Sequence, residues 1–227
     1  TVMIKKVGVV GLGQMGAGIA QVAAQSGYNV IMRDIEDKFV DRALKGIDKF
    51  LSKSVEKGKI TADDKNTTLG RIKGTTKMED LKDADFVVEV VLEDMELKKK
   101  VFKELDELTR KDVILATNTS SMSITEIATA TKKPDKVVGM HFFNPVPVMK
   151  LVEIIKGQAT SEETFQVIKA LSEKLGKTPI TVNEAPGFAV NRILVPMINE
   201  AIFGLQEGIA SAEDIDKGMG LGANHPI

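Results

Sequence analysis

The stretch Val7-Gly-Val-Val-Gly-Leu-Gly-Gln-Met-Gly16 decides how the rest of this chain reads. A short β-branched run, Val7–Val10, ends in Gly11-Leu-Gly13-Gln-Met-Gly16 and passes directly into a segment of helical period. Asp34 closes the next apolar run, 23 positions after Gly11. A lone G-x-G-x-x-G is a weak signal, but a strand before it, a helix after it and an acid at this spacing complete a dinucleotide-binding context. Gly11 permits the tight turn, Gly13 lets the backbone approach a pyrophosphate, and Gly16 allows close packing of helix on strand. Gln14 and Met15 lie in the same turn, at a helix N-terminus that favours negative charge. Asp34 is placed to accept hydrogen bonds from an adenosine ribose and to repel a 2′-phosphate. That favours NAD, while Arg33 beside it leaves NADP open.

Outward from this unit the alternation continues. Val30–Met32, Phe86–Val91, Val113–Ala116, Val137–Phe142 and Leu151–Ile155 are near-continuous apolar runs, as expected of strands buried on both faces. Amphipathic segments separate several of them. One runs from Gly13 to near Gly27, and one carries the stripe Val101, Phe102, Leu105 and Leu108 with Lys and Glu opposite. Thr160-Ser-Glu-Glu163 has capping-box spacing and predicts a helix to about Leu175. The pattern predicts an α/β fold with a mostly parallel, helix-covered sheet. Between Ile35 and Leu69 there is no strand signal, only a Lys-rich helical stretch divided by Gly58 and Thr61-Ala-Asp-Asp64, which reads as an inserted helical hairpin. Beyond Asn183-Glu-Ala-Pro-Gly-Phe188 strand signals cease and helices are predicted over Asn191–Gln206 and Ser211–Met219. A domain boundary is expected near Pro186, giving domains 1–185 and 186–227.

Composition narrows the classes. The 227 residues carry a net charge of −1, so no bulk field recruits nucleic acid or an anionic membrane. There is no cysteine, which excludes disulfides, thiolate metal sites and cysteine catalysis. With only two histidines, a structural metal site is not expected. The opening residues lack a signal-peptide layout and no apolar run has transmembrane length, so a cytoplasmic protein is expected.

One of the two histidines, His141, ends the Val137 run, and twelve positions later a lone carboxylate, Glu153, interrupts the next one. On neighbouring strands they can pair into an oriented proton-transfer group. Two further segments lie where strands should end: Glu89-Val-Val-Leu-Glu93, followed by Lys98, and Asn118-Thr-Ser-Ser121. For Ser121 and Ser123 a helix-capping role is the preferred reading.

Together VGVVGLGQMGAGIAQ, NTSSMSIT, GMHFFNPVPVMKLVEII and APGFAVNRILVPMINEA closely resemble the 3-hydroxyacyl-CoA dehydrogenases, most of all the bacterial 3-hydroxybutyryl-CoA type, over nearly the whole chain. The resemblance implies a Rossmann-type, doubly wound NAD-binding domain and a helical C-terminal domain that forms a homodimer, with acyl-CoA bound between them. It implies His141 as the catalytic base and Glu153 as its orienting partner, with Ser120 and Asn191 at the reacting oxygen. The resemblance also implies Asn144 in the same cleft, Glu93, Lys98 and Asn118 around the nicotinamide ribose, and Lys57 near the CoA moiety. Phe50 stands where some members have a CoA-contacting serine. The chain stops at Leu221–Ile227 where members continue, so the helical domain is expected to be truncated. His225, in that closing segment, is expected to be structural.

Three rival readings remain in view. 3-Hydroxyisobutyrate and 6-phosphogluconate dehydrogenases share the Gly-Leu-Gly-x-Met-Gly opening but use a lysine on a Gly-rich helix, and Gly187–Ile193 has none. A dehydrogenase of a free hydroxy acid would lack use for a lysine-bearing CoA hairpin. A non-catalytic NAD-binding protein on the same fold would not need His141, Glu153, Ser120 and Asn191 together.

Overall fold

The structure is a computed structural model and describes residues 3–226. Its chain divides into two compact units, 1–185 and 186–227. In the first, β1 (Lys6–Val10), α1 (Gln14–Gln25) and β2 (Asn29–Arg33) form the unit expected around the glycine turn. The hairpin follows as α2 (Asp37–Glu56) and α3 (Ala62–Gly70), then β3 (Ile72–Thr75). Next come β4 (Phe86–Glu89), α4 (Met95–Leu108), β5 (Ile114–Thr117), α5 (Ile124–Ala128) and β6 (Val137–Phe142). The unit closes with β7 (Leu151–Lys156), α6 (Glu162–Lys174) and β8 (Thr178–Asn183).

The strands form one sheet in the order β3-β2-β1-β4-β5-β6-β7-β8. All pairings are parallel except β6 with β7. The exception has a simple cause. The link between β6 and β7 is too short for the crossover a parallel pair needs, so the chain turns back on itself. The strand order reverses between β1 and β4, the switch point at whose strand ends ligands bind in doubly wound sheets.

Two strands escaped the sequence pattern, β3 and β8, and both are edges. An edge strand has neighbours on one side only and needs no continuous apolar run, and β8 carries Pro179, which edges tolerate. The Thr61–Asp64 capping box is present, with both reciprocal bonds made. The Thr160 capping box is not. Ser161 caps α6 by accepting from Thr164 N–H, while Thr160 Oγ1 donates to the Val137 carbonyl instead. Ser123 caps α5, accepting from Glu126 N–H.

The main core lies where Val7, Val9, Phe86, Val88, Val138 and Met140 meet α1, α2 and α6. Strand side chains alternate between faces, so Glu89, Thr117, His141 and Glu153 lie on the other one, in line with Val87, Leu115, Gly139 and Ile155. The polar residues of the later strands therefore gather on one face rather than scattering through the core.

The second unit contains α7 (Val190–Gln206) and α8 (Ala212–Gly222), the latter capped by Ser211. Its α7 leaves Ile193, Val195, Ile198, Ile202 and Phe203 exposed.

Candidate active site

The glycine turn is built as the spacing required. Gly11 has φ +97°, and a Cβ there would lie 2.6 Å from the Val90 carbonyl oxygen. A Cβ on Gly16 would lie 1.8 Å from the Gly11 carbonyl oxygen, so helix and turn touch backbone to backbone. Around Gly13 the space is open, with nothing within 4 Å of a Cβ. Gly13 is also the N-cap of α1 and offers no side-chain oxygen, so the first N–H groups of the helix have no side-chain cap. An open backbone at an uncapped helix start fits a pyrophosphate. Asp34 stands at the end of β2, where its Oδ2 accepts the Leu12 N–H at 2.7 Å and ties this strand end to the glycine turn. Arg33 is turned the other way, its Nε donating to the Thr76 carbonyl at 3.3 Å.

At the ends of β4 and β5 a buried ionic cluster forms. Lys98 Nζ lies 2.8 Å from Glu89 Oε1 and 3.3 Å from Glu93 Oε2, and it donates to the Val91 carbonyl at 3.2 Å. Glu89 is fully buried, and its other oxygen accepts from Thr117 Oγ1 at 2.7 Å. Burial pushes the Glu89 carboxyl up, against the pull of Lys98, Thr117 and the Val91 N–H. Glu93 is the opposite case. Burial pushes it up, but the Ser120 N–H, Lys98 and Thr119 outweigh this and hold it below the usual range. It accepts the Ser120 N–H at 2.8 Å. Asn118 bridges two strands, with its N–H on the Glu89 carbonyl and its Oδ1 accepting the Phe142 N–H at 2.8 Å.

His141 and Glu153 face each other directly in the antiparallel register of β6 and β7. Nδ1 of the imidazole is 2.7 Å from Glu153 Oε2, with the carboxylate fully buried and the His141 side chain 8 % exposed. The Phe143 ring packs on the imidazole, with centroids 4.6 Å apart and planes tilted by 52°. The turn after β6 carries Asn144 and forms one wall of a cleft of about 550 Å³, whose other walls include Gly13, Gln14, Arg42 and Phe50. Lys177, at the start of β8, is buried and donates to the carbonyls of Val146 and Met149, fastening this turn.

The first unit thus brings together most of the residues expected from the sequence. Gly11, Gly13, Gln14, Met15 and Gly16 follow β1, with Asp34 at the end of β2 bonded to their turn, while Glu93, Lys98, Asn118 and Ser120 cluster beyond the ends of β4 and β5. His141 and Glu153 form a pair. Lys57 is exposed at the C-cap of α2 and is not part of the cleft wall. Asn191 lies in the first turn of α7, in the second unit. Sequence reasoning assigned no part to Glu89, Thr117, Phe143 and Lys177. A Glu closing an otherwise apolar strand was the visible signal for the first of these. Among the described residues no group of His, Cys, Asp and Glu could hold a metal ion.

Comparison with known proteins agrees with this geometry. A family model for the 3-hydroxyacyl-CoA dehydrogenase NAD binding domain matches residues 6–185, and the C-terminal domain model of the same family matches 187–227. A 3-hydroxybutyryl-CoA dehydrogenase of Clostridioides difficile is 54% identical over 222 residues, covering 98% of this chain and 79% of its own. The human mitochondrial hydroxyacyl-coenzyme A dehydrogenase is 44% identical, covering 100% of this chain and 74% of its own. The crystal structure of (S)-3-hydroxybutyryl-CoA dehydrogenase from Ralstonia eutropha superposes with a TM-score of 0.98 at 52% identity, covering 99% of this chain and 80% of that one. With its glycine turn, its strand order and both family models in agreement, the chain belongs to the NAD-dependent 3-hydroxyacyl-CoA dehydrogenase family.

Proposed function

We propose that this protein interconverts an (S)-3-hydroxyacyl-CoA, with 3-hydroxybutyryl-CoA the first candidate, and the corresponding 3-ketoacyl-CoA. The observation that carries the reading is the His141–Glu153 pair, held in register by two strands beside a dinucleotide-type turn. An alcohol is too weak an acid to lose its proton unaided near neutral pH. NAD would supply the acceptor for the hydride on C3. The hydroxyl proton moves from the substrate oxygen to His141 Nε2 as the carbonyl forms, and returns from the imidazolium in the reverse direction. With Nδ1–H donating to Glu153, the neutral ring has its lone pair on Nε2, and the buried carboxylate stabilises the imidazolium that results. Ser120 acts as a donor to the reacting oxygen, where charge develops, and the family resemblance gives Asn191 the same role.

Gly11, Gly13, Gln14, Met15, Gly16 and Asp34 hold the adenine-side half of NAD, and Glu93, Lys98 and Asn118 hold the nicotinamide ribose. The cleft between Asn144 and α2 suits the CoA moiety: Arg42 offers a cation for its phosphates, and Lys57 lies further along the same helix. Family resemblance and the exposed apolar residues of α7 support a homodimer formed through the second unit. The work of such an enzyme is on water-soluble thioesters and cofactor in the cytoplasm. Loss of NADH absorbance on adding acetoacetyl-CoA to the full-length protein tests the assignment. Turnover is expected; cofactor binding without turnover would overturn it in favour of a non-catalytic NAD-binding protein.

A further inference from the structure

Glu89 lies outside the reaction just described, yet it is a carboxylate buried completely at the end of a sheet strand. Burying an ion pair such as Glu89–Lys98 costs much of what its attraction returns, and apolar residues of similar shape would often be as stable. Stability alone therefore does not account for it. Its contacts do. Oε1 accepts from Lys98 Nζ at 2.8 Å and the Val91 N–H at 2.6 Å, and Oε2 from Thr117 Oγ1 at 2.7 Å, so every part of the group is committed.

The Lys98 ammonium is shared between two carboxylates, one buried and one reaching solvent. Glu93, the outer one, is held at 3.3 Å through Oε2, while its Oε1 accepts the Ser120 N–H at 2.8 Å and Thr119 Oγ1 donates to both oxygens. Without Glu89, Lys98 would have only Glu93 as a counter-ion. The single remaining carboxylate would be drawn inward to it, away from Ser120. Because Glu89 makes the closer contact with the ammonium, 2.8 Å against 3.3 Å, Glu93 is left to bind the loop.

We infer that Glu89 is a positioning residue: acting through Lys98 and Glu93, it fixes Ser120 and the strand-end edge of the site where the nicotinamide ribose is held. The inference rests on the proposed NAD-dependent reading. It adds a residue that touches neither substrate nor cofactor.

The test uses the full-length protein and two variants, Glu89→Gln and Thr117→Val, the second removing one tie to Glu89 while keeping shape. Three quantities are measured: the NADH dissociation constant by fluorescence, the Ser120 amide position by nitrogen–proton NMR, and Tm. Glu89→Gln is expected to weaken NADH about tenfold, by analogy with the loss seen when the hydrogen-bond partners behind a metal ligand are removed. Thr117→Val is expected to weaken it about threefold, with both variants moving the Ser120 amide upfield as its bond to a carboxylate loosens. Lower Tm with an unchanged NADH constant and an unmoved Ser120 amide would overturn the inference and leave Glu89 a structural residue. If Glu89→Gln does not fold, Thr117→Val alone decides in the same terms. Wild type that fails to bind NADH at all would instead overturn the NAD-dependent reading.

Discussion

Two glycines three residues apart should respond to alanine in opposite ways. At Gly16 the added methyl would sit 1.8 Å from the Gly11 carbonyl oxygen, a backbone atom. Real contacts of this kind stay above about 3 Å, so turn and helix must part by more than about 1 Å. Neither side yields easily. Gly11 N–H is bonded to the Arg33 carbonyl at 2.9 Å, Leu12 N–H to Asp34 at 2.7 Å, and Gly11 already lies against the Val90 carbonyl. Overpacking costs about 1–3 kcal/mol where side chains can give, and the upper end or beyond is expected here because the opposing atom is backbone. For a chain of this size that corresponds to a Tm drop of about 5–10 °C. At Gly13 the methyl meets nothing within 4 Å, and the backbone angles of −65° and −170° suit alanine. The loss of a favourable N-cap residue and the gain from a less flexible unfolded chain nearly cancel, each being under about 1 kcal/mol. The methyl does occupy the space a pyrophosphate needs at the start of α1. Gly13→Ala should therefore keep its Tm within about 3 °C of wild type. It should weaken NADH by a factor of about 100 or more, the equivalent of about 2.8 kcal/mol lost at the phosphates. Thermal melts and NADH fluorescence titrations on the full-length variants measure both. A Gly13→Ala protein that binds NADH normally would refute the assignment of this turn to the pyrophosphate. A Gly16→Ala protein with unchanged Tm would refute the packing argument.

Three other outcomes are expected. Glu153→Gln should keep fold and NADH affinity but lower turnover, by about 10²–10⁴-fold if general acid–base catalysis is lost; a pH–rate profile identical to wild type would end the case for the pair. Asp34→Ser removes the negative charge facing a 2′-phosphate and the bond to Leu12 N–H, so NADH affinity should fall about tenfold while the NADPH-to-NADH activity ratio rises; an unchanged ratio would count against Asp34 as the ribose partner. Asp85 gives a stability prediction. Burial pushes its carboxyl up, but the Lys5 and Lys6 N–H groups and Arg110 outweigh this and hold it below the ordinary range. A depressed carboxyl contributes stability that is present above the unfolded value of about 4 and is lost as pH falls through the folded value. Asp85→Asn should therefore lower Tm by several degrees at pH 7, about 2 kcal/mol of charged hydrogen bonding, and the deficit should shrink steadily below pH 4. A deficit independent of pH would contradict it.

How much of this was legible beforehand depended on whether local chemistry or distant contact set each feature. The β1–α1–β2 unit was legible because each step is local: an apolar run, glycines at three required places, a helical period and an acid at fixed spacing. The buried strands were legible for the same reason, but the antiparallel turn-back between β6 and β7 was not read from the sequence. The edge strands β3 and β8 were not, because half-exposed strands carry no apolar run to detect. The start of α6 was displaced by one residue, since Thr160 found a better partner in the distant Val137 carbonyl than in its own helix.

The candidate site divides along the same line. Gly11, Gly13 and Gly16, Asp34, and the suspicion attached to His141 and Glu153 follow from residue type and spacing. Sequence by itself thus determined the fold class and the glycine turn, and it singled out His141 and Glu153. Only tertiary structure decided that His141 and Glu153 are opposite one another, because strand register depends on every pair in β6 and β7. Only it showed that Glu89, Lys98, Glu93 and Ser120 form one chain of contacts across two strands and a helix, with Thr117 anchoring its buried end. The physical reason is that a hydrogen bond acts over about 3 Å in space, while these partners stand up to 28 residues apart along the chain.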